Sequence, residues 1–165
     1  MRSVAIALLL FLSFEVFATN QQPDTLVIGN EKRDVRGIEL PERVLARLVA
    51  WKRKHDFEGV ASYNWKGFYA TLRLRNEHLL LEGVSVDAAG PTTTPVPLSF
   101  LFGSDGPIHA VWFSGRLDEY LLAPLKFTDI LPGGRVRSGV PPDLLRRYTF
   151  RRGKLISSTK EVIPR

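Results

Sequence analysis

Cysteine is absent from the 165-residue sequence, and histidine occurs only three times. The lack of thiols excludes disulfide scaffolds, thiolate zinc sites, iron–sulfur clusters and cysteine nucleophiles. No two histidines have the i, i+2 or i, i+4 spacing that places metal ligands on one face of a helix or strand. We therefore expect neither a metal site nor a cofactor.

The composition is that of a basic globular protein. The hydrophobic fraction of 44% and the charged fraction of 24% exclude a disordered chain. A length of 165 residues corresponds to one domain. Because 23 Lys and Arg residues stand against 17 Asp and Glu residues, the formal net charge is +6, which favours anionic partners.

The first segment has the parts of a secretory signal peptide. Residues 1–3 are a short basic start, residues 4–14 form an apolar run, and Val-Phe-Ala at 16–18 is a small-residue cleavage pattern. The run is too short to span a bilayer. We expect residues 1–18 to be removed on export. Residues 19–165 are then a single β-rich domain without a membrane span, located in the periplasm or secreted.

Hydrophobic periodicity predicts hairpin after hairpin, with one helix. Residues 40–54 carry apolar side chains at three-to-four spacing, which is typical of a helix that packs one face on a sheet. Elsewhere the pattern favours strands separated by turn residues. The predicted strands cover residues 25–28, 31–36, 67–74, 79–86, 98–102, 108–113, 116–122, 147–151 and 155–159. Residues 123–143 are rich in Gly and Pro and are predicted to be a long irregular loop.

The predicted fold class is mainly β, a single antiparallel-sheet domain built of successive hairpins with one packed α-helix. Its clearest strand alternates apolar and polar residues. The residues expected to face the core are Phe68, Ala70, Leu72 and Leu74, and those expected to face outward are Tyr69, Thr71, Arg73 and Arg75.

Residues 65–74 read Trp-Lys-Gly-Phe-Tyr-Ala-Thr-Leu-Arg-Leu, and residues 110–117 read Ala-Val-Trp-Phe-Ser-Gly-Arg-Leu. These runs resemble the motifs Trp-Arg/Lys-Gly-aromatic-x-Ala-Thr and Ala-x-Trp-Phe-Ser-Gly-x-Leu of a family of small exported bacterial proteins with no known activity. The resemblance implies an envelope location and a β-rich fold, and it implies no chemistry. Trp65, Tyr69 and Trp112 are the motif aromatics. The two tryptophans are expected either to close the core or to form a carbohydrate-stacking platform.

Catalytic constellations are weak in this sequence. Ser114, His109 and Asp105 could form a nucleophilic triad, but no nucleophile elbow surrounds the serine. Asp56 and Glu58 are loop carboxylates that could serve a hydrolase. The adjacent Asp118 and Glu119 would point to opposite faces of a strand, so we interpret them as solvated surface charges. No catalytic residue is predicted.

Basic residues cluster on two predicted strands and on the last turn, and alternation directs those on the strands outward. The predicted anion-binding residues are Arg73, Arg75, Arg147, Arg151, Arg152 and Lys154. Guanidinium groups suit bidentate contacts with phosphate or carboxylate, and they would share one surface if the two strands are neighbours. The alternative is that these residues only solvate an outer sheet face.

The sequence therefore predicts an exported, non-catalytic binding module whose basic face holds an anionic envelope component or a protein partner. Export argues against nucleic acid as the partner, although basic residues interleaved with aromatics can bind it. A periplasmic immunity or inhibitor protein against a toxin is the main alternative. A hydrolase that uses loop carboxylates is the third.

Overall fold

The computed structural model describes residues 23–57, 66–87, 92–121 and 143–163 of the chain. Within them, the strands are β1 (Asp24–Ile28), β2 (Glu31–Arg36), β3 (Tyr69–Arg75), β4 (His78–Asp87), β5 (Thr93–Val96), β6 (Ile108–His109), β7 (Gly115–Tyr120), β8 (Asp143–Arg151) and β9 (Lys154–Ile163). The helices are α1 (Glu42–Lys54) and α2 (Leu98–Phe102). The predicted signal peptide over residues 1–18, Trp65 and the predicted loop over residues 123–143, except its last residue, lie outside the described residues.

Seven of the strands close into a barrel. The order around it is β3, β1, β2, β7, β8, β9 and β4, and β4 pairs again with β3. All neighbours are antiparallel except β1 and β3, which run parallel. A ring with an odd number of strands cannot alternate direction throughout, so closure requires a parallel pair. The mainly β prediction is confirmed, and the structure adds that the successive strands close into a barrel.

The helix predicted over residues 40–54 is α1. It buries Val44, Leu48 and Trp51, and these side chains belong to the same apolar cluster as the inner face of the barrel. Its first turn carries Glu42, and its last turn carries three basic residues, which suits the helix macrodipole at both ends. The three-to-four spacing of apolar residues therefore identified the packed face correctly.

The alternation of β3 is confirmed. Ala70 and Leu72 are buried, and Thr71 and Arg75 are exposed. The register places Leu72 opposite Leu81 of β4 and beside Leu26 of β1, so apolar side chains of three strands meet inside the barrel.

Residues 98–102 form a helix, contrary to the strand predicted there. Pro97 precedes the first turn, and Gly103 follows the last with a left-handed φ of 80°. Proline is suited to a helix N-terminus and glycine to its end. Leu98 and Leu101, three residues apart, are the buried pair. A run of five residues of which four are apolar does not distinguish a strand from a buried helical turn, so the flanking residues were the better signal.

The barrel closes at a narrow seam between β4 and β9. Only one residue pair, His78 with Lys154, joins the two strands. Two backbone hydrogen bonds reinforce it, from the Leu79 N–H to the Gly153 carbonyl at 2.8 Å and from the Leu155 N–H to the Glu77 carbonyl at 2.7 Å. Beyond this point β4 pairs with β6 and then with β5, so β9 has no room beside it.

Candidate functional site

Two tight turns lie side by side at the seam. The β3–β4 turn is formed by Asn76 and Glu77, and the β8–β9 turn by Arg152 and Gly153. All four residues have positive φ angles between 49° and 74°, which is the conformation of the two-residue turns that suit the twist of β-hairpins. The seam hydrogen bonds connect these turns directly, so the ends of the two hairpins form one continuous edge of the barrel.

Basic side chains line this edge in register. Arg75 of β3 is opposite His78 of β4, His78 is opposite Lys154 of β9, and Lys154 is opposite Arg151 of β8. Directly opposite residues of antiparallel strands project their side chains from the same face, about 5 Å apart. Arg75, His78, Lys154 and Arg151 therefore form a line across four strands, which we call the cross-strand row. Three strand spacings give it a length of roughly 14 Å.

The side chains of the cross-strand row are exposed and mostly free of acidic partners. Among the described residues, no carboxylate lies within ion-pair distance of Arg75 or Arg151. Lys154 has one neighbour of opposite charge, Glu77 at 3.8 Å, and both side chains are more than half exposed. Such an exposed pair contributes little. The row thus presents cations that are available to an external anion.

Two further residues stand beside the row. Arg152 at the tip of the β8–β9 turn is exposed, and its backbone N–H is held by the Ser114 hydroxyl at 2.9 Å. His109 of β6 lies with its ring centroid 6.0 Å from that of His78, edge to face. The His78 Nδ1 lies 2.8 Å from the Asn76 carbonyl oxygen. These contacts fix the position of the turn and of the imidazole.

Arg73 and Arg147 do not join the row, and β3 and β8 are not neighbours. The Arg73 Nε donates to Glu82 at 2.5 Å. Arg147 is held by both oxygens of Asp118, at 2.9 and 3.1 Å, and by Glu161 at 2.6 Å. These hydrogen bonds to carboxylates raise the pKa of both guanidinium groups. Their charges are therefore balanced within the protein.

Of the predicted anion-binding residues, the structure brings together Arg75, Arg151, Arg152 and Lys154. It connects them through β4 and β9 and not through direct contact of β3 with β8. His78 was missed, although its position opposite Arg75 across the predicted turn was a signal that could have indicated it. The closeness of His109 depends on the pairing of β6 with β4, which the sequence does not reveal.

A second group of charges lies inside the barrel. The Glu119 carboxylate is 9% exposed and accepts a 2.7 Å hydrogen bond from the Tyr148 hydroxyl. The Nη1 nitrogens of Arg33 and Arg146 lie 3.2 Å and 3.3 Å, respectively, from the Glu119 oxygen that accepts this bond. Burial raises the pKa of the Tyr148 phenol. We call these four residues the buried ionic cluster.

The interpretation of Glu119 as a solvated surface charge is wrong. Asp118 and Glu119 do point to opposite faces of β7, as expected, and the inner face is that of Glu119. A buried carboxylate needs charged partners, and these come from β2 and β8, which flank β7 in the barrel. The Glu119 carboxylate is satisfied within the cluster, and Arg33 also pairs with the exposed Glu31 at 2.5 Å, so we assign the cluster a structural role.

Another buried ion pair involves the lysine of the first motif. The Lys66 Nζ lies 2.5 Å from Asp24, whose second oxygen accepts the Ala70 N–H at 2.8 Å. Burial raises the pKa of Asp24, and the charge of Lys66 opposes that shift. Lys66 therefore holds the start of β1 against the start of β3.

The motif aromatics within the described residues are packed. The Tyr69 hydroxyl donates to Asp87 at 2.6 Å. Trp112 stacks on Phe102 with ring centroids 5.3 Å apart, and its Nε1 donates to the Glu39 carbonyl at 3.1 Å. Its remaining surface lines an open cleft of about 440 Å³. The structure thus favours a packing role for Trp112 over a free stacking platform.

Catalytic geometry is not found in the described ranges. No hydrogen bond there joins Ser114, His109 and Asp105, and the Ser114 hydroxyl is engaged by Arg152. Glu58, one of the two loop carboxylates, lies outside these ranges. Within the described part of the chain, no three acidic or imidazole side chains are close enough to hold a metal ion. Nor does any helix described here have the length and apolarity to cross a membrane.

Comparisons with protein-family models, with curated proteins and with solved structures find no match for this chain. The fold and the site therefore define its class. It is a mainly β barrel protein with a cross-strand row of cationic and imidazole side chains at the closing seam.

Proposed function

We propose that this chain is an exported, non-catalytic binding protein whose cross-strand row holds an anionic partner of the bacterial envelope. The observation that carries the proposal is the register Arg75, His78, Lys154, Arg151 across four adjacent strands. Pairing aligns these side chains along one face, which suits an extended anionic surface better than a small enclosed ligand.

The chemistry of the row favours phosphate groups. Arginine presents a planar fork of donors that matches phosphate oxygens, and lysine adds a compact charge. Several such groups within roughly 14 Å can contact more than one phosphate at once. Anionic phospholipid headgroups and the phosphates of lipopolysaccharide share this chemistry, and both belong to the bacterial envelope, the location that the predicted signal peptide and the family resemblance imply.

The test is binding to vesicles and to lipopolysaccharide by three forms of the full-length chain. In the row variant, Arg75→Ser and Arg151→Ser remove two exposed cations. In the matched control, Arg43→Ser and Arg53→Ser remove two exposed cations of α1 and change the net charge equally. A basic residue near an anionic surface contributes about 1 kcal/mol, so the row variant should bind roughly thirtyfold more weakly.

The control should bind as the unmodified protein does, and binding should weaken as added salt shortens the screening length. Equal losses in both variants would mean that net charge alone attracts the protein. Retention on neutral vesicles, or no binding by the unmodified protein at low salt, would overturn the proposal. Vesicles of anionic phospholipid and purified lipopolysaccharide in separate arms distinguish the two sources of phosphate.

Export is tested separately. Expression of the full chain in a bacterium, followed by fractionation and intact-mass measurement, should give a periplasmic or secreted protein that begins near Thr19. A chain that retains residues 1–18 would refute the signal peptide and leave the cross-strand row to be tested with other anions.

A further inference from the structure

Among the described residues, the edge of β9 that faces away from β8 is unpaired over most of its length. On one side β9 pairs with β8 from Lys154 to Ile163. On the other side, the described residues supply a single partner, His78, at the very start of the strand. Backbone groups of a strand alternate in direction, so every second residue of β9 turns its N–H and C=O away from β8. A long free edge of this kind is a template for another strand.

The side chains along this edge are also uncovered. Residues 156–160 are exposed, and Ile156 and Val162 are 58% and 62% exposed. Edges are typically protected by charges, prolines, bulges or short strands. The bulge of β9 lies only near its start, and exposed apolar residues at both ends of the strand are unusual for a protected edge. Lys160 is the one cation between them.

Ile156 is the extra residue of a β-bulge opposite Thr149 and Phe150, and it has no partner on β8. We propose that β9 pairs antiparallel with β9 of a second copy of this chain, about a two-fold axis through Thr159. In this register Ile156 of each copy is opposite Val162 of the other, so the two exposed apolar pairs cover each other. Lys160 is opposite Ser158, and Glu161 is opposite Ser157. No like charges face each other directly, which would be destabilising in a cross-strand pair.

The neighbouring registers are worse. In an antiparallel pair, the side chains of opposite residues lie on the same face of the sheet. The two-fold axis must therefore pass through a residue, which is then opposite its own copy, and not between two residues. An axis through Lys160 would place the two lysines opposite each other. An axis through Ser158 would place Ile156 opposite Lys160 and Val162 opposite Lys154. The Thr159 register alone among these three matches apolar with apolar and leaves each lysine opposite a neutral residue.

Existing contacts are compatible with this register. Glu161 keeps its ion pair with Arg147 of β8 at 2.6 Å, and Thr159 keeps its contact with Glu161 at 3.3 Å. The dimer joins two barrels by one continuous sheet. In each copy Lys154 lies five residues from the axis through Thr159. The two cross-strand rows are therefore ten residues apart along the paired strands, or roughly 33 Å. Two linked rows bind one anionic surface with higher avidity than either alone.

The test uses the absence of cysteine in the chain. Thr159→Cys places two thiols opposite each other across the axis, within the Cα separation that a disulfide requires. Mild oxidation of this variant should give a disulfide-linked dimer about tenfold faster than oxidation of Arg43→Cys on α1. Ser157→Cys is the register control, because its thiols would be four residues out of register, roughly 13 Å apart.

Light scattering of the unmodified chain should show a concentration-dependent dimer, and Val162→Lys should shift it to monomer without loss of the circular dichroism of the fold. A monomer at all concentrations would overturn the proposal, as would equal oxidation rates for the Thr159→Cys and Arg43→Cys variants. Faster dimerisation through Ser157→Cys would refute this register. Monomeric protein that still binds anionic vesicles would reject the dimer and retain the single row.

Discussion

Removal of the Glu119 carboxylate should be among the most destabilising single changes in this protein. Glu119→Ala takes the only acid out of the centre of the buried ionic cluster and leaves Arg33, Arg146 and Tyr148 facing one another inside the barrel. Breaking a buried ion pair from one side costs about 3–5 kcal/mol, because the remaining charge is uncompensated. Small domains have a total stability of about 5–15 kcal/mol, so the expected loss is a large part of it.

The magnitude follows from the donors that Glu119 satisfies. The Tyr148 hydroxyl and two guanidinium nitrogens converge on the carboxylate, and each buried donor left without a partner costs about 1–3 kcal/mol. The Arg33 Nε lacks a hydrogen-bond partner among the described residues. The Nη2 of Arg33 keeps the exposed Glu31 carboxylate at 2.5 Å, so most of the loss falls on Arg146 and Tyr148. The side chains of Arg33 and Arg146 are 19% and 23% exposed, so water reaches them partly, which keeps the total within the range for a broken pair.

The neighbouring Asp118→Ala is the matched control, since it removes a carboxylate from the same strand on the opposite, outer face. Asp118 is 26% exposed and pairs with Arg147, which keeps Glu161 as a second partner. Urea unfolding followed by circular dichroism should show that Glu119→Ala lowers the free energy of unfolding at least twice as much as Asp118→Ala. Equal losses for the two variants, or a loss below about 1 kcal/mol for Glu119→Ala, would refute the assignment of Glu119 to a buried structural cluster.

Three further outcomes are expected. Leu72→Ala should lower the free energy of unfolding in urea by about 2–5 kcal/mol, since Leu72 is fully buried. Arg73→Ala on the outer face should leave the unfolding midpoint almost unchanged. The reverse order would mean that β3 faces the other way. Because burial raises the pKa of Tyr148 above its ordinary 10.0, the phenolate absorbance of the folded protein should contain a late-ionising component that disappears in Tyr148→Phe. The stability that this shift contributes is present in full below the ordinary pKa and is lost as the pH rises through the raised one. Gly153→Ala should lower Tm more than Gly103→Ala. Both positions have positive φ, but only at Gly153 would the new Cβ lie 2.7 Å from the Ala110 carbonyl oxygen. Equal shifts in Tm would show that this close approach is unimportant.

Local patterns were sufficient for the elements whose packing is simple. The spacing of Val44, Leu48 and Trp51 predicted the buried face of α1, and the alternation around Leu72 predicted the inner face of β3. Both signals arise within one element, because a helix or strand with one buried face repeats its apolar residues at its own period. The turns at residues 29–30 and 152–153 were equally local, and the hairpins around them were predicted correctly.

Pairing between distant strands left no such signal. Nothing near Arg75 or Lys154 indicates that β4 and β9 meet, so the cross-strand row could not be assembled from the sequence. The same holds for Glu119, whose burial depends on guanidinium groups supplied by β2 and β8. Barrel closure itself depends on the parallel contact of β1 with β3, and alternation within a strand does not reveal the direction of its neighbours.

The narrow seam has a consequence for folding. The β4–β9 contact joins residues that are far apart in the chain and rests on one residue pair and two backbone hydrogen bonds. Contacts of large sequence separation form late, because a long loop must close before they provide any stabilisation. The barrel is thus completed by β9, the last of the described strands. In the native state the same seam should be the first to open, so the amides of Leu79 and Leu155 should exchange with solvent before those between β8 and β9.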